Sequence, residues 1–416
     1  MAQPVSRSAR YLLVEPNPFA SRLHVLLAML SALSGERVSV IAPPRLEASH
    51  WDEHRALLSR VDILTVNGSV PLSGPRAAPL SILEFWPFVR TAWRGTRKGN
   101  AEHRTVLVFT ALDDYLTAFA FMAPLIRLLR RRVDDLILIK YRVSYLDRSG
   151  RQGPRQRALA AATHWAVYAS GARLVTFDER LLGHRAGWLP VEVVPDPWDG
   201  DFGPHHRAPG RAGLGLSETD FGILLVGRQD RRKGFDTAMR ALRIALQRND
   251  DVVALVVGPV APEYKAEFGR LTVEHSGRVR HIPDFVPDSV LPDLFAAADV
   301  VLLPYASFFT STSGVLARAA ASGVPVVASE HGLIGHRVRA HRMGLTIPAG
   351  RPAELSKAIM AMSSAPMDVR HDLAEGARRF ATTCNIDAFH RSFRRVVRLT
   401  DRGLSPPERG AAHTSR

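Results

Sequence analysis

The chain has 416 residues, 46% hydrophobic and 23% charged, with 55 basic against 40 acidic residues for a formal net charge of +15. At roughly 150 residues per domain that is two or three domains with cores large enough to fold unaided, which excludes a chain disordered along most of its length. A lone cysteine, Cys384, excludes an internal disulfide framework and a multi-cysteine zinc site, and fits a reducing compartment.

From the N-terminus, residues 1–10 carry charge with no apolar segment and small-residue cleavage site behind them, so no secretory signal is expected. Short apolar runs then alternate with helical spacing. Strands are expected at 10–15, 37–42, 59–66, 105–110, 136–141, 173–177 and 191–194, with a helix at 22–33 and helical stretches between several of the others. The nearest approach to a membrane span, 158–177, is cut by His164 and Arg173. Cytoplasmic residence follows as the default.

The stretch VPDPWDGDFGPHHRAPG from Val194 has a linker's Pro, Gly and Asp content. A second alternating series follows. Its strands are expected at 221–226, 252–257, 279–282, 300–303 and 325–328, its helices at 236–247, 263–274, 291–297, 314–322 and 352–362. Strands alternating with helices imply parallel sheets covered on both faces, and a doubly wound sheet binds ligands beyond the carboxyl ends of its strands. The final residues, 403–416, read as a polar, disordered tail.

The basic residues are almost all arginine, the lysines being Lys98, Lys140, Lys233, Lys265 and Lys357. Such a surface attracts polyanions of any kind, and compositional drift toward arginine produces the same balance. Short basic runs lie at 127–132, 228–233 and 391–398, none inside a nucleic-acid-binding motif, so no nucleic-acid partner is expected.

Two segments carry the chemistry. After FGILLV comes Gly227-Arg228-Gln229-Asp230-Arg231-Arg232-Lys233-Gly234. Gly227 lets the backbone turn at a strand end, and Arg228 and Lys233 suit phosphate oxygens, the first as a planar fork and the second as a point charge. The second segment follows VVLLP. Thr310, Ser311, Thr312 and Ser313 lead into a helix at Gly314, where amide groups and the positive end of the helix dipole form an anion site. The plainer readings are a solvated basic loop and an ordinary N-capped helix.

The second half of the chain resembles the nucleotide-sugar domain of family 4 glycosyltransferases. GRQDRRKGFD matches that family's G-R-x-x-x-x-K-G element, VGPV at 257–260 its strand end, and HIPDFVPDSVLPDLFAAADVVLLPY the stretch that follows. GVPVVAS at 323–329 matches a further segment, and VPDPWD at 194–199 resembles the family's domain junction. The match covers roughly residues 190–390 and is only architectural before that.

The resemblance implies the GT-B fold, an α/β architecture of two Rossmann-like parallel-sheet domains facing a cleft. The expected division is an acceptor-side domain at 1–203, a nucleotide-sugar domain at 204–385, a C-terminal helix at 386–402 returning to the first domain, and the tail. It implies a glycosyltransferase moving a sugar from a nucleotide-diphosphate sugar to a hydroxyl acceptor, a glycan or lipid-linked molecule. The outcome would be retaining and metal-independent, with no cofactor beyond the donor itself. Arg228 and Lys233 would hold the diphosphate and stabilise the leaving group. Gly227, Thr310, Ser311, Thr312, Ser313 and Gly314 would complete the donor site.

One departure stands out. The family's E-x7-E pattern places carboxylates where this sequence has Thr310 and Arg318, and arginine cannot accept the ribose hydroxyl bonds a carboxylate accepts. Arg318 implies an altered mode of donor binding. The alternative is a GT-B binding or scaffold protein without turnover.

In the first half, Asp113 and Asp114 follow a strand. They can orient or deprotonate an acceptor hydroxyl, or cap the next helix. Ser21, Arg22 and His24 are the polar candidates after the first strand, and Tyr141, Arg142 and Asp147 after the fifth. His331 and His336 follow the strand PVVAS and would face the cleft in such a fold, where the resemblance implies a loop contacting the donor's sugar or phosphate; the plainer reading is a surface turn made by Gly332 and Gly335. They lack the further ligands of a structural metal site, so no metal is expected. The basic amphipathic stretch 388–398 suits packing onto the first domain, with peripheral contact at the inner face of a membrane as the other use of such a helix.

Overall fold

The computed structural model describes residues 9–17, 21–44, 56–67, 78–96, 104–146, 153–182, 189 and 191–398. The chain divides into two compact units. The first comprises residues 1–139, 161–175 and 390–416, the second residues 140–160 and 176–389. The expected tail at 403–416 and Asp147 lie outside the described residues, as does the side chain of Ser21.

In chain order the first part contains β1 (Ala9–Val14), α1 (Ser21–Ala32), β2 (Arg37–Ala42), β3 (Asp62–Thr65), α2 (Ala78–Gly95), β4 (Arg104–Phe109), α3 (Leu112–Ile126), β5 (Asp135–Lys140), α4 (Pro154–Ser170), β6 (Arg173–Thr176) and β7 (Val191–Val193). The seven-stranded sheet runs β3-β2-β1-β4-β5-β6-β7. Its β3, β2, β1, β4 and β5 pair in parallel. Strand β5 is buried at every position, which is why it reads as a continuous apolar run rather than an alternating one.

The rest is α5 (Arg207–Gly213), β8 (Phe221–Val226), α6 (Phe235–Arg248), β9 (Val252–Val257), α7 (Lys265–Glu274), β10 (Val279–Ile282), α8 (Leu291–Ala297), β11 (Val300–Leu303), α9 (Gly314–Ala321), β12 (Val326–Ser329), α10 (Gly332–His341), β13 (Gly344–Ile347), α11 (Pro352–Ser363), α12 (Met367–Thr383) and α13 (Ile386–Arg398). The six strands form one sheet in the order β10-β9-β8-β11-β12-β13, parallel throughout. Two apolar layers cover it. One packs Leu224, Leu255, Val301, Phe295 and Leu316; the other packs Ile223, Val256, Phe235, Leu242 and Ile359.

Both sheets reverse their strand order once, between β1 and β4 and between β8 and β11. The loops that leave the carboxyl ends of these pairs diverge, and that divergence opens a binding crevice in a doubly wound sheet. The candidate loops after β8 and β11 therefore leave from such a point.

The C-terminal helix buries Phe389, Phe393, Val396 and Val397. From His390 onward it groups with the first unit, where Arg104 donates to the Val397 carbonyl at 3.0 Å and Arg394 to that of Ala32 at 2.5 Å. Arginines on the last carbonyls of a helix satisfy acceptors that the helix cannot. Its apolar face is occupied by protein.

The plainer reading of Gly332 and Gly335 fails. They do not make a surface turn, because both lie in helix α10 together with His336. Glycine is required at 335 by contact, since a Cβ there would overlap the carbonyl oxygen of Glu330.

Candidate functional site

The loop after β8 is built on glycines and one aspartate. Gly227 has φ +90° and would place a Cβ 2.7 Å from the Lys233 ammonium. Asp230 accepts from the Lys233 amide at 3.0 Å and caps a short 3-10 turn, Arg231–Lys233. Gly234, at φ +68°, ends that turn and opens α6. The turn folds the Lys233 side chain back, so that its Nζ donates to the Val226 carbonyl and lies 5.8 Å from the Tyr305 ring centre. Buried Gln229 closes the loop by donating from Nε2 to the Gly227 carbonyl at 2.6 Å.

Arg228 is different. It is exposed, and among the described residues its guanidinium has no hydrogen bond, ion pair or ring contact. The loop thus holds Lys233 as a tethered cation and, at Arg228, an uncommitted fork of donors.

The loop after β11 is bound to it. The Ala306 amide donates to the Arg232 carbonyl at 3.1 Å, and Gly234 approaches the Pro304 carbonyl so closely that a Cβ would overlap it. Ser313 accepts from the Leu316 amide at 3.3 Å as the N-cap of α9, while the Tyr305 hydroxyl meets Ser313 Oγ at 3.1 Å. The loop after β12 braces this one: His331 Nε2 lies 3.0 Å from the Ala306 carbonyl and 3.1 Å from that of Phe309, and so carries the proton.

Of the hydroxyl residues, Thr310 Oγ1 accepts from Ser144 at 3.0 Å and Thr312 reaches Asp196. Ser313 serves the helix cap, and Ser311 is half-buried. Gly314 is exposed at the start of α9, where a helix leaves amides without an internal partner. Arg318, one turn on, lies close enough to crowd a Cβ at Gly314, 3.0 Å from its Nη1. Its Nη2 is 3.8 Å from Asp288 Oδ1, and its buried Nε has no hydrogen-bond partner among the described residues. Burial pushes the Arg318 guanidinium below its usual range, with Asp288 opposing.

Beneath these loops lies an ion cluster for which the sequence offered no signal. Arg337 of α10 donates to both Glu179 oxygens at 2.8 Å, to Asp196 and to the Phe177 carbonyl at 2.9 Å. Burial raises Asp196 against the pull of Arg337. Burial also opposes ionisation of Glu179, but the Arg337 hydrogen bonds outweigh it and hold that carboxyl low. Cys384 lies close by, its thiol pushed by burial up to about 12, which makes it inert at neutral pH.

In the first unit, the loops after β1 and β4 meet at the other order reversal. Asp114 accepts from Arg22 and from Asn17 Nδ2, both at 2.8 Å. Buried Glu15 accepts from the Asn17 amide at 2.8 Å and lies 2.7 Å from Thr110 Oγ1. Thr110 Oγ1 is also 2.9 Å from the Val14 carbonyl. A hydroxyl has one proton to give, so a protonated Glu15 donating to Thr110 satisfies both contacts. Burial raises Glu15 in that sense. Asp113 and Asp114 occupy the first turn of α3, where carboxylates complement the helix dipole, and the N-cap position itself is Ala111. His24 is half-buried on α1, Tyr141 stacks on Phe177 at 4.9 Å, and Arg142 is exposed.

For a metal, the described residues offer Asp201, His205 and His206, with one ligand atom of each within 4.8 Å of the others. These groups already have partners, His205 pairing with Asp201 at 3.2 Å and His206 with Asp293, outside the group, at 2.6 Å. They lie apart in sequence from the loops that carry Arg228 and Lys233.

Residues 220–364 match the family described as Glycosyl transferases group 1. The chain is 27% identical over 259 residues to a D-inositol 3-phosphate glycosyltransferase of Rhodococcus erythropolis, covering 58% of each. It is 34% identical over 217 residues to D-inositol 3-phosphate glycosyltransferase 1 of Catenulispora acidiphila, covering 48% of this chain and 51% of the relative. The chain thus spans about half the length of the curated relatives it matches. Among solved structures, Anabaena HepE in complex with UDP and glucose superposes with a TM-score of 0.65 at 17% identity, covering 94% of this chain and all of that one. That likeness is one of fold: two Rossmann-like parallel-sheet domains, the GT-B architecture.

Proposed function

With a group 1 glycosyltransferase domain at residues 220–364 of a GT-B chain, we propose that the protein transfers a sugar from a nucleotide-diphosphate sugar to a hydroxyl acceptor. The observation that carries this reading is the pair of cations on one loop, Arg228 uncommitted and Lys233 held against the Val226 carbonyl, tied to the loop that opens α9. A departing nucleoside diphosphate gains negative charge. Fixed cations and helix amides stabilise that charge with no reorganisation during the reaction.

In this reading Arg228 grips the diphosphate by a bidentate contact, and Lys233 adds a point charge from Gly227's side of the loop. The start of α9 at Gly314 faces the same charge. Because cations of the chain balance the leaving group, the transfer needs no divalent ion, and the donor is the only cosubstrate besides the acceptor. The solved HepE complex holds UDP, and a uridine donor is the first to try here. Retention at the anomeric carbon, an acceptor that is a glycan or lipid-linked molecule, and residence at the inner face of a membrane complete the proposal. No described helix is long and apolar enough to cross one.

The test is donor turnover. UDP-, GDP- and ADP-sugars are incubated with the protein in chelator, and release of nucleoside diphosphate is followed. Release from one donor, lost in Arg228→Ala and Lys233→Ala, supports the reading. A second reading, a binding protein without turnover, draws on Arg318, which sets a guanidinium and Asp288 where the family has a carboxylate. Nucleotide binding with no release from any donor would favour it.

A further inference from the structure

Three neighbouring helices of the first unit expose large apolar side chains on their outer faces. On α2 the exposed residues Leu83, Trp86, Arg90 and Arg94 recur at helical spacing, apolar at one end and basic at the other. On α3 and the 3-10 turn Arg127–Arg131 that follows it, Phe121, Leu125 and Leu128 are exposed beside Arg127 and Arg131. On α4, Trp165 and Tyr168 are exposed. Four of these are more than half exposed: Phe121 72%, Leu83 69%, Tyr168 61% and Trp165 51%.

The helices adjoin. Phe85 of α2 stacks on Tyr115 of α3 at 4.5 Å. Trp165 of α4 donates from Nε1 to the Ala120 carbonyl at 2.9 Å, one residue from Phe121. Arg132 lies over the Trp93 ring of α2 at 4.1 Å.

Scattered exposed apolar residues are ordinary, but a cluster on adjoining helices marks an interaction surface. Its chemistry selects the partner. Trp and Tyr have an apolar body and a polar edge, which suits the headgroup zone of a bilayer. Along the end of α3 and the turn after it the charge is of one sign: residues 120–132 contain Arg127, Arg130, Arg131 and Arg132 and no carboxylate. A band of arginine beside aromatic and aliphatic groups complements an anionic lipid surface, to which each such cation adds attraction.

We propose that this face of α2, α3 and α4 seats on an anionic bilayer, with Leu83, Trp86, Phe121, Leu125, Trp165 and Tyr168 entering the headgroup region. This deepens the membrane contact proposed above and assigns it to a surface other than the C-terminal helix, whose apolar face is buried. It brings the protein to lipid-linked hydroxyl acceptors at the bilayer surface.

The full chain is sedimented with vesicles of phosphatidylcholine alone and of phosphatidylcholine mixed equally with phosphatidylglycerol. Binding is expected to the mixed vesicles and to fall as salt rises. Arg127→Gln with Arg131→Gln should weaken it by roughly thirtyfold, two surface charges' worth. Phe121→Asp with Trp165→Ser should abolish it. Arg391→Gln with Arg395→Gln, an equal loss of charge on α13, should leave most of it. Circular dichroism and UDP binding on the same samples separate failure of this surface from loss of fold or of the donor site. Several results overturn the proposal: no binding to mixed vesicles by folded protein, binding unchanged in the first two variants, or Phe121→Asp abolishing self-association where no vesicle binding exists.

Discussion

The amide of Ala306 donates to the carbonyl of Arg232 at 3.1 Å, joining the loop after β11 to the loop after β8. Gly234 sits beside that bond with φ +68° and no room for a Cβ against the Pro304 carbonyl. The cationic loop and the start of α9 are therefore held in one arrangement by main chain, before any ligand arrives. Gly234→Ala combines a positive φ with a backbone overlap. A loss of about 2 kcal/mol or more is expected, of the order that strained backbone positions cost. Denaturant unfolding measures it, and UDP affinity should fall with it.

Arg337 gives a different kind of prediction. Its guanidinium is buried between Asp196 and Glu179, so Arg337→Leu leaves two carboxylates without their cation. The expected loss is about 3–5 kcal/mol. Replacing all three by apolar residues should recover much of that loss, since the penalty lies in the uncompensated charges. Chemical denaturation of the single and triple variants checks this. A triple variant no better than Arg337→Leu would mean that the cluster stabilises beyond mutual neutralisation.

Glu15 supplies the pH dependence. Burial raises its folded pKa above the unfolded value of about 4.3. Its contribution is fully present below the unfolded pKa and is lost as pH rises through the folded pKa. Glu15→Gln keeps the shape and a donor toward Thr110 without the charge. The stability of the native protein relative to Glu15→Gln should therefore decline as pH rises above about 4, then level off above the folded pKa. Parallel urea titrations across pH 4–8 read it directly, and a difference that grows with pH would contradict it.

Ser313 caps α9 and anchors the Tyr305 hydroxyl. Ser313→Ala should cost about 1 kcal/mol, the usual value of an N-cap. Its effect on nucleotide affinity should exceed that of Ser311→Ala, because only Ser313 orders the start of the helix. Thermal melts and UDP titrations of the two variants compare them.

The sheet was legible where strands are buried on both faces. The runs at 221–226, 252–257 and 300–303 coincide with β8, β9 and β11 because burial leaves no alternation to misread. Helix α10 was not, since Gly332 and Gly335 punctuate it, and the second is there for contact with Glu330 rather than for a turn. Strand β13 is only half-buried over most of its length, and α12 is largely exposed, so neither shows a clear apolar period. In the candidate site the cations could be read directly, because charge on a loop after a strand is a sequence signal. The ties between loops could not, because Ala306 to Arg232 and Gly227 to Val257 are main-chain bonds that no side chain announces. Asp288 beside Arg318, and Arg337 between Asp196 and Glu179, join residues distant in sequence and have no local pattern.

In the proposed reaction Arg228 and Lys233 hold a nucleoside diphosphate. Arg228 is exposed and has no partner among the described residues, so Arg228→Ala should change stability by no more than about 0.5 kcal/mol, as for surface sites away from special features. Calorimetric titration of the native protein, Arg228→Ala and Lys233→Ala with UDP, GDP and ADP is the direct test. Saturable binding of one nucleotide is expected, weakened tenfold or more in each variant, about 1.4 kcal/mol, with Arg228→Ala fully folded. Binding unchanged in Arg228→Ala, or no binding of any of the three at millimolar ligand by folded native protein, would contradict it.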